Sequence, residues 1–260
     1  MGETEPGDVD QHPPADVLDK VRGWLRHQGY ALEYETARQL ESADLYTRQG
    51  LTYRDDATGK TREVDVVAEL RSFGANVHVV NFSIVVECKS SKEPWIVRKA
   101  MVHPIEREWR PVATKRLVDY LLLHNTLDRM TIDDPTGFEI EAKREPNKPN
   151  GARDALIQVV SAARGLLRAE RGPAFFHPVV LLDGELVSLW YADDGSEDLR
   201  LSNFERILWS GAPDLSHSIV VDVVTRQGFP TYMRSLIGEL KGIQGSIAGL
   251  SFVSPKAVGF

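Results

Sequence analysis

The chain has 260 residues, enough for one large domain or two small ones, and its 42% hydrophobic and 27% charged residues are ordinary for a globular protein. No apolar run reaches the roughly 18 residues that a transmembrane helix needs, so we expect no membrane partner. The single cysteine, Cys88, excludes an intramolecular disulfide and is typical of a reducing compartment, so we expect a cytoplasmic protein.

The net charge of −7 is unevenly distributed along the chain. The first 20 residues contain six acidic residues and one basic residue. The remainder is nearly neutral and is compatible with a local basic surface. Charge therefore neither supports nor excludes a nucleic-acid partner.

The N-terminal part of the chain predicts a tail followed by helices. Residues 1–14 are rich in Pro, Glu, Asp and Gly and predict a disordered acidic tail, with a single domain over residues 15–260. Apolar residues recur at helical spacing between Val17 and Leu25, and again between Leu32 and Ala43. Two amphipathic helices are therefore predicted.

The pattern changes to short β-rich runs after these helices. The runs "REVDVVAEL" (62–70) and "VHVVNFSIVVECK" (77–89) predict two strands, with the turn formers of residues 71–76 between them. The segment "RDDATGK" (54–60) predicts a hairpin turn before the first of these strands.

The region after Lys89 is predicted to be mainly helical. The clearest helices cover residues 114–123 and 152–168, and a polar loop is predicted between residues 133 and 151.

The last third predicts strands and a final helix. The dipeptide Asp183-Gly184 predicts a hairpin between two strands, "SIVVDVV" (218–224) a buried strand, and residues 232–240 a helix. The overall order of elements predicts an α/β fold with a mixed central sheet flanked by helices.

Two carboxylates in the predicted strands stand out. Asp65 lies between valines, where an unpartnered carboxylate is costly to bury, and Glu87 ends the next apolar strand, with Lys89 on the same face. If the strands form an antiparallel pair, Asp65 faces Glu87 when the turn is centred on Asn76, which lies in the predicted turn.

Two facing carboxylates repel unless a positive charge lies between them. A hard divalent cation, Mg²⁺ or Mn²⁺, resolves the conflict, because Mg²⁺ is commonly held by one or two carboxylates plus water and phosphate oxygens. Lys89 would then act on the attacking water or on the negative charge of the transition state. This combination predicts metal-assisted hydrolysis of phosphodiester bonds.

The segments "REVDVVA" and "VVECKSS" resemble the PD-(D/E)XK, or restriction-endonuclease-like, superfamily of nucleases. Asp65, Glu87 and Lys89 occupy its Asp…Glu-x-Lys positions, and Val64 stands where the proline of the family name is found in other members. The resemblance covers about residues 30–185 and implies a restriction-endonuclease-like core, with an α/β C-terminal extension over residues 186–260.

The resemblance also implies further site residues. The superfamily often has an acidic residue on a helix before the strands, and Glu33 fits best, with Glu35 as the alternative. Gln158 matches a glutamine that some branches keep on a later helix. The backbone carbonyl of Cys88, between the two motif residues, is expected to reach the metal that Asp65 and Glu87 bind.

Other interpretations remain open at this point. The three motif residues are also compatible with a structural ion pair at the end of a sheet, and Glu33 and Gln158 with ordinary helix residues. The expected function is cleavage of DNA; the alternatives are the same chemistry on RNA, or a catalytically inactive fold that binds nucleic acid or protein. A homodimer is compatible with each of them.

Overall fold

A computed structural model of the chain describes residues 15–27, 29–70, 80–101, 109–123, 136–143, 150–192, 194–210 and 218–247. The predicted tail, residues 1–14, and the turn between the two motif strands lie outside the described residues. The helices are α1 (Ala15–His27), α2 (Tyr30–Ser42), α3 (Lys115–Leu123), α4 (Gly151–Ala169) and α5 (Phe229–Ile247). None of the helices in the described ranges is long and apolar enough to cross a membrane.

Eleven strands are present in the described residues. They are β1 (Tyr46–Arg54), β2 (Thr61–Leu70), β3 (Asn81–Ser90), β4 (Trp95–Ala100), β5 (Val112–Ala113), β6 (Thr136–Ala142), β7 (Ala174–Asp183), β8 (Leu186–Tyr191), β9 (Glu197–Ser202), β10 (Phe204–Trp209) and β11 (Ile219–Thr225). All belong to one mixed sheet with the order β1-β2-β3-β7-β11-β10-β6-β4-β8-β9, and β5 pairs with β7. The predicted mixed α/β architecture is confirmed at this level.

Helices cover both faces of the central strands. Apolar residues of α2, α3 and α5 form one core cluster with Phe82, Ile84 and Val86 of β3. The alternate residue Val85 points to the opposite face, into a second cluster built around α4. The sheet therefore separates two hydrophobic layers, and β3, which carries Glu87 and Lys89, lies between them.

The predicted hairpin at Asp183-Gly184 is wrong. β7 and β8 do not pair with each other: β7 lies between β3 and β11, whereas β8 lies between β4 and β9. Both edges of β7 are already occupied, so the chain leaves the strand instead of folding back. At Gly184 a Cβ would lie 2.7 Å from the Ser91 carbonyl oxygen, which explains the need for glycine there without a hairpin.

Two strands replace predicted helix and loop. β4 lies in the region after Lys89, where helices were predicted, and buries Trp95 and Val97 on one face at strand spacing. β6 lies inside the predicted polar loop and forms an antiparallel pair with β4. The short alternation in both segments is supported by pairing with distant strands, which local patterns do not reveal.

Strands from both predicted segments of the domain alternate within this sheet. β11, from the segment 186–260, pairs in parallel with β7, from the segment 30–185. The neighbouring strand β10 pairs with β11 and with β6. The C-terminal segment thus contributes a central strand next to the β3–β7 pair.

Candidate active site

The register of β2 and β3 brings the two motif strands together as predicted. Val66 pairs with Val86 and Leu70 with Phe82, in an antiparallel arrangement. This register has its centre at residue 76, so the predicted register is confirmed. If this register is continued by one residue beyond Val66 and Val86, Asp65 lies across from Glu87.

β2 is distorted at Asp65. Val64 packs in the α4 cluster and Val66 in the α2 cluster, although residues two apart in a regular strand share a face. In the neighbouring strand Gly50 has a φ of 65°, a left-handed conformation that glycine adopts without strain. The pairing of β1 with β2 skips Gly50 and Asp65.

The Asp65 carboxylate reaches the end of β3. Its Oδ2 accepts a hydrogen bond from the backbone N–H of Cys88 at 2.7 Å. Burial raises the pKa of Asp65, although the Cys88 N–H and the positive charge of Lys89 oppose this shift. The carboxylate is therefore anchored beside the Glu87–Cys88 peptide.

Glu87 and Lys89 form an ion pair at the end of β3. Lys89 Nζ donates to Glu87 Oε1 at 2.6 Å, and the Glu87 side chain is only 9% exposed. Burial first, and the negative charge of Asp65 second, raise the pKa of Glu87 to about 7 despite this lysine. One ammonium group therefore does not compensate the negative charge at this position.

Glu33 completes the group from the first turn of α2. Burial raises its pKa to about 7, and Asp65, Glu63 and Glu87 add to the shift through their negative charges. Glu35 instead contacts Arg226, whose Nε donates to Glu35 Oε1 at 3.3 Å. Of the two candidate helix acids, Glu33 is the one whose pKa responds to the strand carboxylates. We call Glu33, Asp65, Glu87 and Lys89 the carboxylate cluster.

The Cys88 side chain packs against α2. Its Sγ lies 3.7 Å from Thr36 Oγ1, and burial raises the pKa of the thiol. It packs against the α2 core cluster as a small hydrophobic residue. The backbone N–H contacts Asp65, and the role expected for the backbone carbonyl stays a prediction.

Within the described residues, no hydrogen bond joins Gln158 to the carboxylate cluster. It lies on α4, which packs on β3 and β7. Its Oε1 is buried and has no hydrogen-bond partner among the described residues. The expected role of Gln158 therefore also stays a prediction.

Two residues near the carboxylate cluster were missed by the sequence analysis. Glu63 raises the pKa of both Glu33 and Asp65. Tyr53 is buried, and burial together with the charge of Glu87 raises its pKa to about 12. Glu63 stands two residues before Asp65, so strand alternation was a usable signal, whereas the position of Tyr53 depends on the pairing of β1 with β2.

The carboxylate cluster fits a hard divalent cation by its donor chemistry. Its three carboxylates share one lysine. Burial first, and the neighbouring carboxylates second, raise the pKa values of Glu33 and Glu87 although Lys89 opposes both shifts and Arg62 opposes the shift of Glu87. Among the described residues, no set of three or more His, Cys, Asp or Glu side chains converges closely enough to hold a metal ion. Mg²⁺ commonly uses only one or two carboxylates, with water and phosphate oxygens for the remainder.

A cleft of about 800 Å³ opens between α2 and the end of β7, and none of the four residues of the carboxylate cluster lines it. Its wall includes Glu35, two residues from Glu33, and Asp183, which pairs with Ser90 at the end of β3. Arg226 lies in the cleft between these two carboxylates. A ligand in this cleft would lie near the ends of β3 and β7.

A second group of buried charged residues lies under α5, and we call it the Asp222 network. Asp222 is fully buried and accepts hydrogen bonds from His177 Nε2 at 2.8 Å, from Arg206 Nε at 2.8 Å and from the Tyr232 hydroxyl at 2.8 Å. Arg206 Nη2 also donates to Asp222 and to Glu239. Burial alone would raise the pKa of Asp222, but Arg206 and His177 outweigh burial and hold it below its ordinary value.

The structure thus brings four of the sequence-predicted residues into one neighbourhood, and among the described residues Gln158 forms no hydrogen bond to them. No protein-family model, no curated protein and no solved structure was found to match the chain. The chemistry of the site is therefore argued from its own residues.

Proposed function

We propose that this chain is a nuclease with a restriction-endonuclease-like fold that uses Mg²⁺ or Mn²⁺ to hydrolyse phosphodiester bonds of DNA. The observation that carries the proposal is the pairing of β2 with β3, which brings half-buried Asp65 near buried Glu87, with Lys89 bonded to Glu87. The excess of carboxylates over cations favours a bound divalent cation over a self-contained ion pair.

Asp65 and Glu87 would hold the cation in this proposal, with the Cys88 carbonyl as a further oxygen ligand. When bound, the cation supplies a Lewis acid that neutralises charge on the phosphate. Asp65 is oriented for this task by its hydrogen bond from the Cys88 N–H.

Lys89 supplies positive charge to the reaction. Its side chain is about one-third exposed, so Nζ is accessible to a phosphate while it remains bonded to Glu87. An ammonium group at this position stabilises the negative charge that develops on the phosphoryl oxygens.

Glu33 would orient the attacking water or complete the ligands of the cation. Its pKa of about 7 means that it accepts and releases a proton near neutral pH. The half-buried position in the first turn of α2 keeps the carboxylate next to the strand carboxylates and open to solvent.

The proposal is tested by incubating the purified protein with plasmid, linear and single-stranded DNA and with RNA, in Mg²⁺, in Mn²⁺ and in EDTA. We expect metal-dependent cleavage of DNA and a loss of about 10²–10³ in rate for Lys89→Ala, the size found when one charge-stabilising donor is removed. Lys143→Ala, at a lysine that is 72% exposed, is the matched control and should leave the rate unchanged.

Three outcomes would change the proposal. Undiminished cleavage by Lys89→Ala would assign the activity to another site or to a contaminant. Cleavage of RNA alone would replace DNA as the substrate. Metal-independent binding of nucleic acid without cleavage would replace the enzyme with a binding protein of the same architecture.

A further inference from the structure

The strand β9 forms one end of the sheet. Among the described strands it pairs only with β8, in an antiparallel arrangement from Leu186 with Ser202 to Tyr191 with Glu197. The outer edge of such a strand presents backbone N–H and C=O groups that another strand can pair with. Natural proteins usually protect an edge of this kind, so its side chains are informative.

One face of β9 carries two exposed leucines beside Glu197. Leu199 is 57% exposed and Leu201 is 78% exposed. In the β8–β9 register they stand opposite Leu189 and Val187, so the four residues lie on the same face. Exposed apolar side chains clustered at a sheet edge are typical of an interaction surface.

The other face of β9 carries one acid and one base. Arg200 donates to Asp198 through Nε at 3.1 Å and through Nη2 at 2.5 Å. The two residues are separated only by Leu199, so their charges are placed symmetrically about that residue. A second copy of β9, running antiparallel, would therefore meet a complementary pattern if Leu199 were the centre.

Other registers are less favourable. In an antiparallel pair, two residues that face each other are either both hydrogen-bonded across the pair or both not. The twofold axis of a symmetric pair must therefore lie level with a residue of each strand and not between two successive residues. A register centred on Arg200 would set two arginines opposite each other, and one centred on Asp198 two aspartates. The register centred on Leu199 is the one that sets Asp198 of each copy opposite Arg200 of the other.

We infer that β9 pairs with β9 of a second copy of this chain, antiparallel and centred on Leu199, to form a twofold-symmetric dimer. Asp198 of each copy faces Arg200 of the other copy, and the two Leu199 side chains meet at the twofold axis. The ion pair seen within one strand is replaced by two equivalent pairs between the strands. The sheet continues from one copy into the other.

The pairing would bring the 800 Å³ clefts of the two copies close together. Leu201 lines that cleft and stands two residues from Leu199, so it lies about 7 Å along the strand from the twofold axis. The two clefts of a dimer would therefore open near its centre. The dimer itself does not depend on the proposed nuclease activity.

The first experiment compares two cysteine variants under mild oxidation. In Leu199→Cys the new thiols face each other at the axis, so we expect a covalent dimer on a non-reducing gel and in the intact mass. In the matched control Leu201→Cys each thiol faces Glu197 of the other copy, and the two are separated by about 13 Å, too far for a disulfide. The native Cys88 gives little background because it packs against Thr36.

The two variants have opposite expected outcomes although Leu201 is the more exposed position. Random collisions would cross-link Leu201→Cys at least as fast as Leu199→Cys, so equal rates would overturn the inference. Absence of a covalent dimer in both variants would overturn it as well. Circular dichroism of both variants checks that the fold is retained.

The second experiment measures the molar mass of the full chain by light scattering at increasing concentration. We expect the wild type to reach twice the 29.1 kDa of one chain. Asp198→Arg and Arg200→Asp each set like charges opposite each other and should weaken the dimer about tenfold or more. An equimolar mixture of the two variants should restore it. A wild type that stays at 29.1 kDa at all concentrations, or a mixture that stays monomeric, would contradict the inference.

Discussion

Buried carboxylates occur in two regions of the same sheet, and their surroundings differ. In the Asp222 network one aspartate receives hydrogen bonds from a histidine, an arginine and a tyrosine, and its pKa lies below the ordinary value. In the carboxylate cluster three carboxylates share Lys89, and the pKa values of Glu33 and Glu87 are raised to about 7. One region is saturated with donors, and in the other the carboxylates outnumber the positive groups.

This difference separates a structural role from a functional one. The donors of the Asp222 network come from β7, β10 and α5, so the network joins those elements to β11. The carboxylate cluster lies in the middle of β2 and at the end of β3, and it keeps a charge imbalance that costs stability. Such a charge imbalance is typical of a site that binds a ligand.

The comparison predicts the largest stability loss at Asp222. In Asp222→Ala, Arg206 stays buried without its main partner, so we expect a loss of about 3–5 kcal/mol in the free energy of unfolding. Urea denaturation measures it. Asp183→Ala, at an exposed carboxylate, is the control and should change little. A loss below about 1 kcal/mol at Asp222 would remove the structural role from the network.

At Glu87 the comparison predicts that removing the carboxylate increases stability. The carboxyl titrates near 4.5 in the unfolded chain and near 7 in the folded one, so the folded state holds an extra proton between these pH values. The stabilising contribution present at lower pH is then lost as pH rises through about 7. In the absence of divalent cations, Glu87→Gln should be roughly 1–3 kcal/mol more stable than the wild type at pH 8.

The gain at Glu87 should shrink to below about 1 kcal/mol at pH 5, where the wild-type carboxyl is protonated in the folded state. Thermal unfolding at the two pH values measures both effects. Glu139→Gln, at an exposed carboxylate that pairs with Arg98, serves as the control. Equal or lower stability of Glu87→Gln at pH 8 would mean that Lys89 already compensates this carboxylate.

Tyr232→Phe tests the same comparison with a smaller expected loss of stability. It removes one donor from Asp222 and leaves the packing of the ring in place, so we expect a loss of about 1.5 kcal/mol, as for a hydrogen bond to a charged group. Tyr191→Phe, at an exposed tyrosine, should be neutral. The same urea measurement applies, and a neutral Tyr232→Phe would show that the remaining donors are sufficient.

The sequence predicted some features of the site because they depend on local pattern. The two apolar runs around one turn predicted the register of Asp65 and Glu87, and alternation placed Lys89 with Glu87. The distortion of β2 at Asp65, next to Gly50 of β1, was not predictable, since it arises only when β1 and β2 pair.

Features that depend on distant contacts were not predictable from local patterns. The Asp183-Gly184 dipeptide suggested a hairpin, but β7 had its two edges occupied by strands from elsewhere in the chain. The Asp222 network unites His177 with Tyr232, and their sequence positions carry no common pattern. A buried histidine and a tyrosine on a helix each look ordinary until the sheet order is known.

The central claim is that the carboxylate cluster takes a divalent cation, and calorimetric titration of Mg²⁺ or Mn²⁺ into the metal-free protein at pH 8 tests it most directly. We expect saturable binding by the wild type, a loss of at least about tenfold in affinity for Glu87→Gln, and no change for Glu35→Gln, whose carboxylate pairs with Arg226. No binding by the wild type, or equal affinity in Glu87→Gln, would contradict the claim.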